Sequence, residues 1–377
     1  MKISYITTYN ALDIRNWSGT GFMIAEALKN QDNELDYIGN LTAKPGINLY
    51  LNKIYNKLIG KNVDLSREPY VAEQYARQIE ILLKPNSDLI FSPGTTPISL
   101  LKTNKPKVFY TDATFAGMIG FYEYLNNLSN NNIANGNYLE QQALDNSNLA
   151  IYSSDWAAKT AIDNYNVEPS KVKVVPFGSN IQSDRDLKII KGIIATRSTT
   201  QCNLLFLAVD WSRKGGDMAV KIAARLNEMG LKTTLHIAGI KNIPLSNIPS
   251  FIINHGYISK SNKEGRNKID RLLAQSNFLI LPTQADCTPI VFSEANSFGL
   301  PCISTNVGGI STILRDGLNG KAFPLVSDEN VYADYIQSIF SNKELYKQLA
   351  LSSFHEYESR LNWDVTGKTI MKLLHEL

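Results

Sequence analysis

The sequence predicts an α/β protein with two parallel sheets that are covered by helices. Short apolar runs alternate with helical patterns along the chain, which is the signature of βα units. The alternation weakens once, over 183–200, where polar residues gather. A chain of 377 residues is long enough for two domains, each with its own core. We therefore expect a boundary near residue 190, between domains at 1–190 and 191–359.

Each expected domain contains one array of alternating strands and helices, which we define by its candidate strands. The first array has Lys2–Thr7, Leu35–Ile38, Leu89–Phe91, Lys107–Tyr110, Leu149–Tyr152 and Val172–Val175. The second has Leu204–Val209, Thr234–Ala238, Phe278–Leu281, Cys302–Ser304 and Lys321–Phe323. We expect the Asn-rich stretch Asn126–Asn137 to be a loop, and the segment Lys343–Glu376 to be helical with a break near Asn362–Asp364.

Composition excludes several classes of protein. The chain has 38 basic and 35 acidic residues, and this net charge of +3 is too small to indicate nucleic-acid binding. Three cysteines without CxxC spacing argue against a disulfide scaffold or a zinc site. The first residues lack a signal peptide's apolar core, and no apolar run is long enough to span a bilayer. We expect a cytoplasmic protein.

Two strand-to-helix turns have features of phosphate sites. The loop after the first strand contains Gly19, Thr20 and Gly21, and glycine amides at a helix start can approach an anion. The second array opens with Arg213 and Lys214 followed by two glycines, which suits a diphosphate through side-chain charge and turn amides. A capped helix start and a solvated basic turn are the alternatives.

Two carboxylates flank a later turn of the second array. Asp286 precedes a helix expected near Ile290–Phe298, and Glu294 lies inside it. At a rise of about 1.5 Å per residue, this spacing suits two separate hydroxyl clusters rather than a close acid/base couple. The alternative is a capping acid and an unrelated surface Glu. A second helix, after Gly308 and Gly309, is expected to end near Asp316-Gly317.

Several of these segments together resemble one family. The run ADCTPIVFSEANSFGLPCISTNVGGISTILRDGLNGKAF resembles the donor-site signature of the GT4 family of retaining glycosyltransferases. LLFLAVDWSRKGGDMAVKIAARL resembles the opening of that family's second domain, and SSDWAAKTAIDNYNVEPSKVKVVPFGSNI the end of its first. The resemblance implies the GT-B fold, in which two Rossmann-like domains face each other and a C-terminal helix, here about 360–377, returns to the first domain.

The resemblance also implies roles for individual residues. Glu294 would bind the ribose hydroxyls of a nucleoside diphosphate sugar, and Asp286 would hold hydroxyls of the transferred sugar. Arg213 and Lys214 would neutralise the departing diphosphate, which explains how such enzymes act without a metal or other cofactor.

Further donor contacts are implied at the turn and helix start formed by Thr288, Pro289, Ile290 and Val291, and at the loop of Gly19 and Thr20 in the first domain.

The chain departs from the family pattern in three ways. The first acid is Asp286 rather than Glu, an Arg often found earlier is replaced at Val209-Asp210, and the first domain lacks the usual His. Asp112 occupies that His position and is our catalytic candidate there, the alternative being an Asp that caps a turn.

One segment suggests a membrane surface. Leu49–Lys61 places apolar side chains on one helical face, while Lys53, Lys57 and Lys61 lie on another. An ordinary surface helix is the alternative.

The sequence therefore favours a retaining glycosyltransferase that moves a hexose from a UDP- or GDP-sugar to a glycan, a lipid-linked glycan or another alcohol. Two other functions remain open. One is a different GT-B enzyme, such as a sugar-nucleotide epimerase, and the other is a catalytically silent subunit that binds sugar nucleotides.

Overall fold

Two units share the chain, whose computed structural model describes residues 1–181 and 184–377. The first unit contains Met1–Pro176 and Trp363–Leu377, and the second contains Phe177–Asn362. The chain therefore passes between the units at 176/177 and at 362/363. The start of the expected linker, Ser183, lies outside the described residues.

The division at 176/177 precedes the expected boundary near residue 190, for a physical reason. The helix Leu187–Thr196 buries Ile190 and Ile194 in the core of the second unit. The carbonyl of Phe177 accepts a hydrogen bond from Ser293 of the same unit at 3.3 Å. From residue 184 onward, the polar stretch that suggested a linker is thus already part of the second unit.

The first unit is built on a six-stranded parallel sheet with the order β2-β1-β3-β4-β5-β6. All six expected strands are present, each within one residue of its expected ends. They are β1 Lys2–Ile6, β2 Glu34–Ile38, β3 Leu89–Ser92, β4 Lys107–Thr111, β5 Leu149–Tyr152 and β6 Val172–Val174.

The second unit also contains a six-stranded parallel sheet, with the order β12-β11-β10-β7-β8-β9. Its strands are β7 Cys202–Leu207, β8 Thr233–Ala238, β9 Ile252–Asn254, β10 Phe278–Leu281, β11 Cys302–Thr305 and β12 Gly320–Phe323. The strand β9 was not predicted; it has only three residues and pairs with β8 at the edge of the sheet.

The helices connect and cover these strands. They are α1 Thr20–Lys29, α2 Ile47–Leu58, α3 Pro69–Leu82, α4 Phe115–Met118, α5 Asn130–Asn146, α6 Asp155–Asn164, α7 Leu187–Thr196, α8 Gly216–Glu228, α9 Lys263–Gln275, α10 Ile290–Asn296, α11 Ile310–Ile313, α12 Glu329–Ser341, α13 Lys343–Arg360 and α14 Trp363–His375. The expected break in the last helical segment is confirmed between α13 and α14.

The expectation of a loop at Asn126–Asn137 was wrong from residue 130 onward. Ser129 caps α5 there by accepting a hydrogen bond from the amide of Asn132 at 3.3 Å. Gly136 and Leu139 are buried on the inner face of this helix. The helix expected to end near Asp316-Gly317 is also shorter, since α11 ends at Ile313.

Both sheets have a point where the strand order reverses direction. It lies between β1 and β3 in the first sheet and between β7 and β10 in the second. In open parallel sheets, ligands bind outside the carboxyl ends of the strands at such a point. In the second unit, the loops that follow β7 and β10 lie there.

Candidate functional site

The turn between β7 and α8 places two cations at the carboxyl edge of the second sheet. Arg213 donates to the Asp210 carboxylate at 3.1 Å and to the Ala285 carbonyl at 2.9 Å. The Arg213 carbonyl in turn accepts from the Gln284 amide at 2.8 Å and from the Thr283 hydroxyl at 3.0 Å. These hydrogen bonds connect the loop after β7 to the loop after β10.

The two glycines of this turn have a structural role. Gly215 has a φ of +77°, and a Cβ there would lie 1.9 Å from the Pro282 carbonyl oxygen. The Gly215 and Gly216 amides donate to the Ser212 and Trp211 carbonyls, at 3.1 and 2.8 Å. The expectation that these amides face a diphosphate is therefore corrected, because the turn itself uses them. The turn offers a ligand the side-chain charge of Arg213 and Lys214.

Asp286 is buried beside Lys214. The Lys214 Nζ contacts Asp286 Oδ2, and the two side chains are 14% and 8% exposed. The Gly309 amide donates to the Asp286 carbonyl at 3.1 Å, which fixes the loop of Asp286 against the next strand-to-helix turn. A predicted sugar-binding acid and a predicted diphosphate-binding cation thus form one ion pair.

Glu294 lies on α10 and is only 1% exposed. Both of its carboxylate oxygens accept hydrogen bonds from Lys260 Nζ, at 2.5 and 2.6 Å. Lys260 was not predicted from the sequence. The signal that could have found it is its position in a loop that follows a strand at the same sheet edge. Lys260 thus places a positive charge beside an almost fully buried carboxylate, which offsets the cost of burying it.

The remaining predicted residues of the second unit lie around the start of α10. Pro289 precedes the helix, Ile290 and Val291 open it, and Thr288 is buried. The first amides of a helix have no carbonyl within the helix to bind, so they can donate to an anion. The second unit thus gathers Arg213, Lys214, Asp286 and Glu294 near one helix start.

The predicted residues of the first unit lie at the carboxyl edge of its own sheet. Gly19 adopts φ +85° immediately before α1, and the Thr20 amide donates to the Trp17 carbonyl. Asp112 is half-buried directly after β4. Its charge and, more strongly, burial raise the pKa of the neighbouring Tyr110.

A pair of histidines in the second unit was not predicted. His236 Nδ1 and His255 Nε2 lie 3.0 Å apart, with stacked rings. Burial, with a smaller contribution from His255, lowers the pKa of His236 to about 4. Both rings are therefore neutral at pH 7, and one donates a hydrogen bond to the other.

The helix α2 presents an unusual exposed surface. Asn56 is its buried residue, whereas Leu51, Ile54, Tyr55 and Leu58 are 58% to 81% exposed. The lysines Lys53 and Lys57 lie on the same helix, with Lys61 shortly after its end. Among the described residues, no helix is both long and apolar enough to cross a bilayer.

The described residues include no group of three or more His, Cys, Asp or Glu side chains arranged to hold a metal ion. Each charged side chain predicted at this site of the second unit lies beside an opposite charge: Lys214 beside Asp286, Glu294 beside Lys260 and Arg213 beside Asp210.

Comparisons with known proteins agree with this architecture. The family described as "Glycosyl transferases group 1" matches residues 196–353. The D-inositol 3-phosphate glycosyltransferase of a Nocardioides species is 22% identical over 61% of this chain. That alignment spans 54% of the relative's own length, so the chain spans about half of this curated relative.

Solved structures extend the likeness to the whole fold. The sucrose-phosphate synthase of Thermosynechococcus elongatus superimposes with a TM-score of 0.69 over 100% of this chain and 98% of its own, at 13% identity. The Anabaena protein Alr3699/HepE, solved in complex with UDP-glucose, gives 0.62 over 100% of both chains, also at 13% identity. Residues 196–353 thus match the group 1 glycosyltransferases, and the two sheets have the GT-B fold of these solved structures.

Proposed function

We propose that this protein is a retaining glycosyltransferase that moves a hexose from a UDP- or GDP-sugar to a glycan, a lipid-linked glycan or another alcohol. The observation that carries the proposal is the grouping of Arg213, Lys214, Asp286 and Glu294 at the carboxyl edge of the second sheet. The Anabaena structure with UDP-glucose favours a UDP-sugar over a GDP-sugar as the donor.

The charge of each side chain indicates which part of the donor it binds. Glu294 holds the ribose hydroxyls, and Lys260 provides the counter-charge beside its buried carboxylate. Asp286 holds hydroxyls of the sugar. Arg213 and Lys214 meet the diphosphate, whose negative charge grows as its bond to the sugar breaks, and cations placed there stabilise the transition state more than the ground state. Because Lys214 contacts Asp286, one residue links the sugar and the leaving group.

We also propose that these cations replace a metal ion. Arg213 and Lys214 provide two positive charges and the start of α10 provides amides, which together suffice for a diphosphate. Turnover is expected to continue in excess chelator. Complete loss of turnover in EDTA, with recovery on addition of Mn²⁺, would contradict this assignment.

Two substitutions test the donor site. Glu294→Ala is expected to weaken binding of the bare nucleoside diphosphate by about one to two decades, since a hydrogen bond to a charged group contributes about 1.5–3 kcal/mol. Asp286→Ala is expected to leave that binding unchanged or tighter, because it releases Lys214 toward the diphosphate. The same variant should lower turnover with the sugar donor. Calorimetric titration and a nucleotide-release assay measure both effects.

A matched variant separates recognition from folding in this test. Glu294→Gln keeps the size of the buried side chain and removes its charge, and circular dichroism checks the fold of every variant. The donor-site assignment fails if folded Glu294→Ala binds nucleotide like the unmodified chain. It also fails if the Ala variants at 286 and 294 respond identically to bare diphosphate. Donor binding without any transfer would indicate a silent binding subunit instead.

We further propose that α2 rests on an anionic bilayer, which places the protein at the inner face of the cytoplasmic membrane. Its exposed apolar side chains suit the acyl boundary, and Lys53, Lys57 and Lys61 suit acidic headgroups. Changing these three lysines to Glu should release the protein from phosphatidylserine vesicles in a sedimentation assay. Each cation contributes about 1 kcal/mol, so the loss is on the order of a hundredfold.

The control for this experiment changes Lys29, Lys102 and Lys171 to Glu, which alters net charge equally at other surface positions of the first unit. Vesicle binding that falls equally in both triple variants would indicate a nonspecific charge effect. An unmodified protein that never binds vesicles would end the proposal.

A further inference from the structure

A cavity lies within the second unit, away from the donor residues. Its volume is about 250 Å³, and residues of α7, α12, α13 and the segment before β7 line it. Lys191, Arg197, Lys343 and Lys347 contribute four cations, and Ser198 and Thr199 contribute hydroxyls. Apolar side chains complete the wall. Binding sites for drug-sized ligands measure about 300–1,000 Å³, so this cavity suits a smaller molecule.

The cavity lies at the amino ends of the strands of the second sheet, whereas the donor site lies at their carboxyl ends. All strand pairs of this sheet are parallel, and residues 197–199 lie shortly before β7, whereas Arg213 and Lys214 follow it. Tyr346, which also lines the cavity, donates to the carbonyl of Asn277, the residue before β10, at 3.1 Å. Six residues of β7 separate the two edges, which is roughly 20 Å. A ligand in this cavity therefore does not compete directly for the donor residues.

Arg197 provides a fixed positive charge in the cavity wall. It is 4% exposed, and its guanidinium donates to the carbonyls of Ala274, Gly299 and Phe298 at 3.1, 2.7 and 2.8 Å. It also donates to the Tyr346 hydroxyl at 3.2 Å. These partners are all neutral, so they orient the cation without cancelling its charge.

The three lysines of the cavity are also without acidic neighbours in its wall. No carboxylate lines the cavity, and within residues 1–181 and 184–377 no ion pair involves Lys191, Lys343 or Lys347. The nearby Glu344 carboxylate accepts a hydrogen bond from Gln348 at 3.4 Å. Four cations gathered without a counter-charge repel one another, and a multivalent anion relieves that repulsion.

We propose that this cavity binds a phosphate-bearing anion, at a site distinct from the donor site. The lysines supply compact positive charges, the hydroxyls supply further hydrogen-bond donors, and Arg197 supplies a buried positive charge in the cavity wall. The phosphate group is held either in a small soluble phosphoanion or in a lipid headgroup. The site does not depend on the glycosyl-transfer proposal.

Titration calorimetry with inorganic pyrophosphate tests the site. We expect saturable binding by the unmodified protein and by an Arg213→Ala/Lys214→Ala variant whose donor site is disabled. Lys343→Glu/Lys347→Glu should weaken this binding by about tenfold or more, because one charge-assisted hydrogen bond already accounts for that factor. Both lysines are exposed near the start of α13, where a Glu is compatible with the helix dipole.

The matched control is Lys221→Glu/Lys241→Glu, which makes the same change of net charge with exposed lysines of the same unit that do not line the cavity. The proposal is overturned if no binding is detected, if the control weakens binding equally, or if binding disappears with Arg213 and Lys214 and is indifferent to Lys343 and Lys347. Phosphatidic-acid vesicles distinguish the two sources. Vesicle binding that depends on Lys343 and Lys347 but not on Lys53, Lys57 and Lys61 supports the site and assigns its phosphate to a lipid.

Discussion

At the scale of single residues, the neutral histidine pair links protonation to stability. The pKa of His236 is lowered from 6.5 to about 4, mainly by burial, and burial and Lys268 lower that of His255. Below pH 6.5 the unfolded chain therefore binds more protons than the native state. The stability contributed by the pair is fully present above about pH 6.5 and is lost as pH falls toward 4.

The first prediction follows from that sign. His236→Gln cannot gain a proton on unfolding, so we expect the stability of this variant to fall less steeply between pH 6.5 and pH 4 than that of the unmodified protein. Chemical denaturation at a series of pH values measures the two slopes. Parallel slopes in this range would show that His236 does not couple protonation to folding.

Single residues also mark the limit of sequence reasoning. The acids at 286 and 294 and the cations at 213 and 214 were identifiable from local spacing around turns. Their pairing was not, because Lys214 and Asp286 are 72 positions apart and Lys260 and Glu294 are 34 apart. These side chains come together only when the strands of the second sheet pair and place the loops that follow them side by side. The cost of burying a charge then explains why each acid has a cation beside it.

At the scale of elements, the strands were predictable and α5 was not. Most strands are buried apolar runs in which the pattern and the local preference agree. The segment that forms α5 is rich in Asn, which favours turns when only local preferences act. Here the Ser129 cap and the burial of Asn132, Gly136 and Leu139 outweigh that preference. The strand β9 was missed for the opposite reason, since two of its three residues are exposed.

The second prediction tests the cap of α5. Ser129→Ala removes the hydroxyl that accepts from the Asn132 amide and is expected to destabilise the protein by about 1 kcal/mol. The control is Ser147→Ala at the other end of the same helix. Its hydroxyl is buried without a hydrogen-bond partner among the described residues, so its removal should be neutral or stabilising. Equal losses in urea denaturation would argue against the cap.

At the scale of the whole molecule, the chain leaves the first unit at Pro176 and re-enters it at Trp363. The returning helix α14 packs on α1 closely enough that only glycine fits at one point. A Cβ at Gly367 would lie 2.6 Å from the Ala27 carbonyl oxygen. The Thr366 hydroxyl also donates to the Pro176 carbonyl at 3.0 Å, so the two ends of the first unit are joined. The first unit therefore depends on the last residues of the chain.

The last prediction compares two helical glycines. Gly367→Ala introduces a methyl group against rigid backbone and should destabilise the first unit by about 1–3 kcal/mol. Gly192→Ala, in α7 of the second unit, meets nothing within 4 Å and should stabilise it by roughly 0.5–1 kcal/mol. Calorimetric melting measures both changes. A Cβ at either glycine would meet no predicted donor residue, so nucleotide affinity should be unchanged in both variants. A Gly367→Ala protein that melts at the same temperature as the unmodified chain would show that α14 and α1 accommodate the methyl group, and that the close approach to Ala27 does not require glycine.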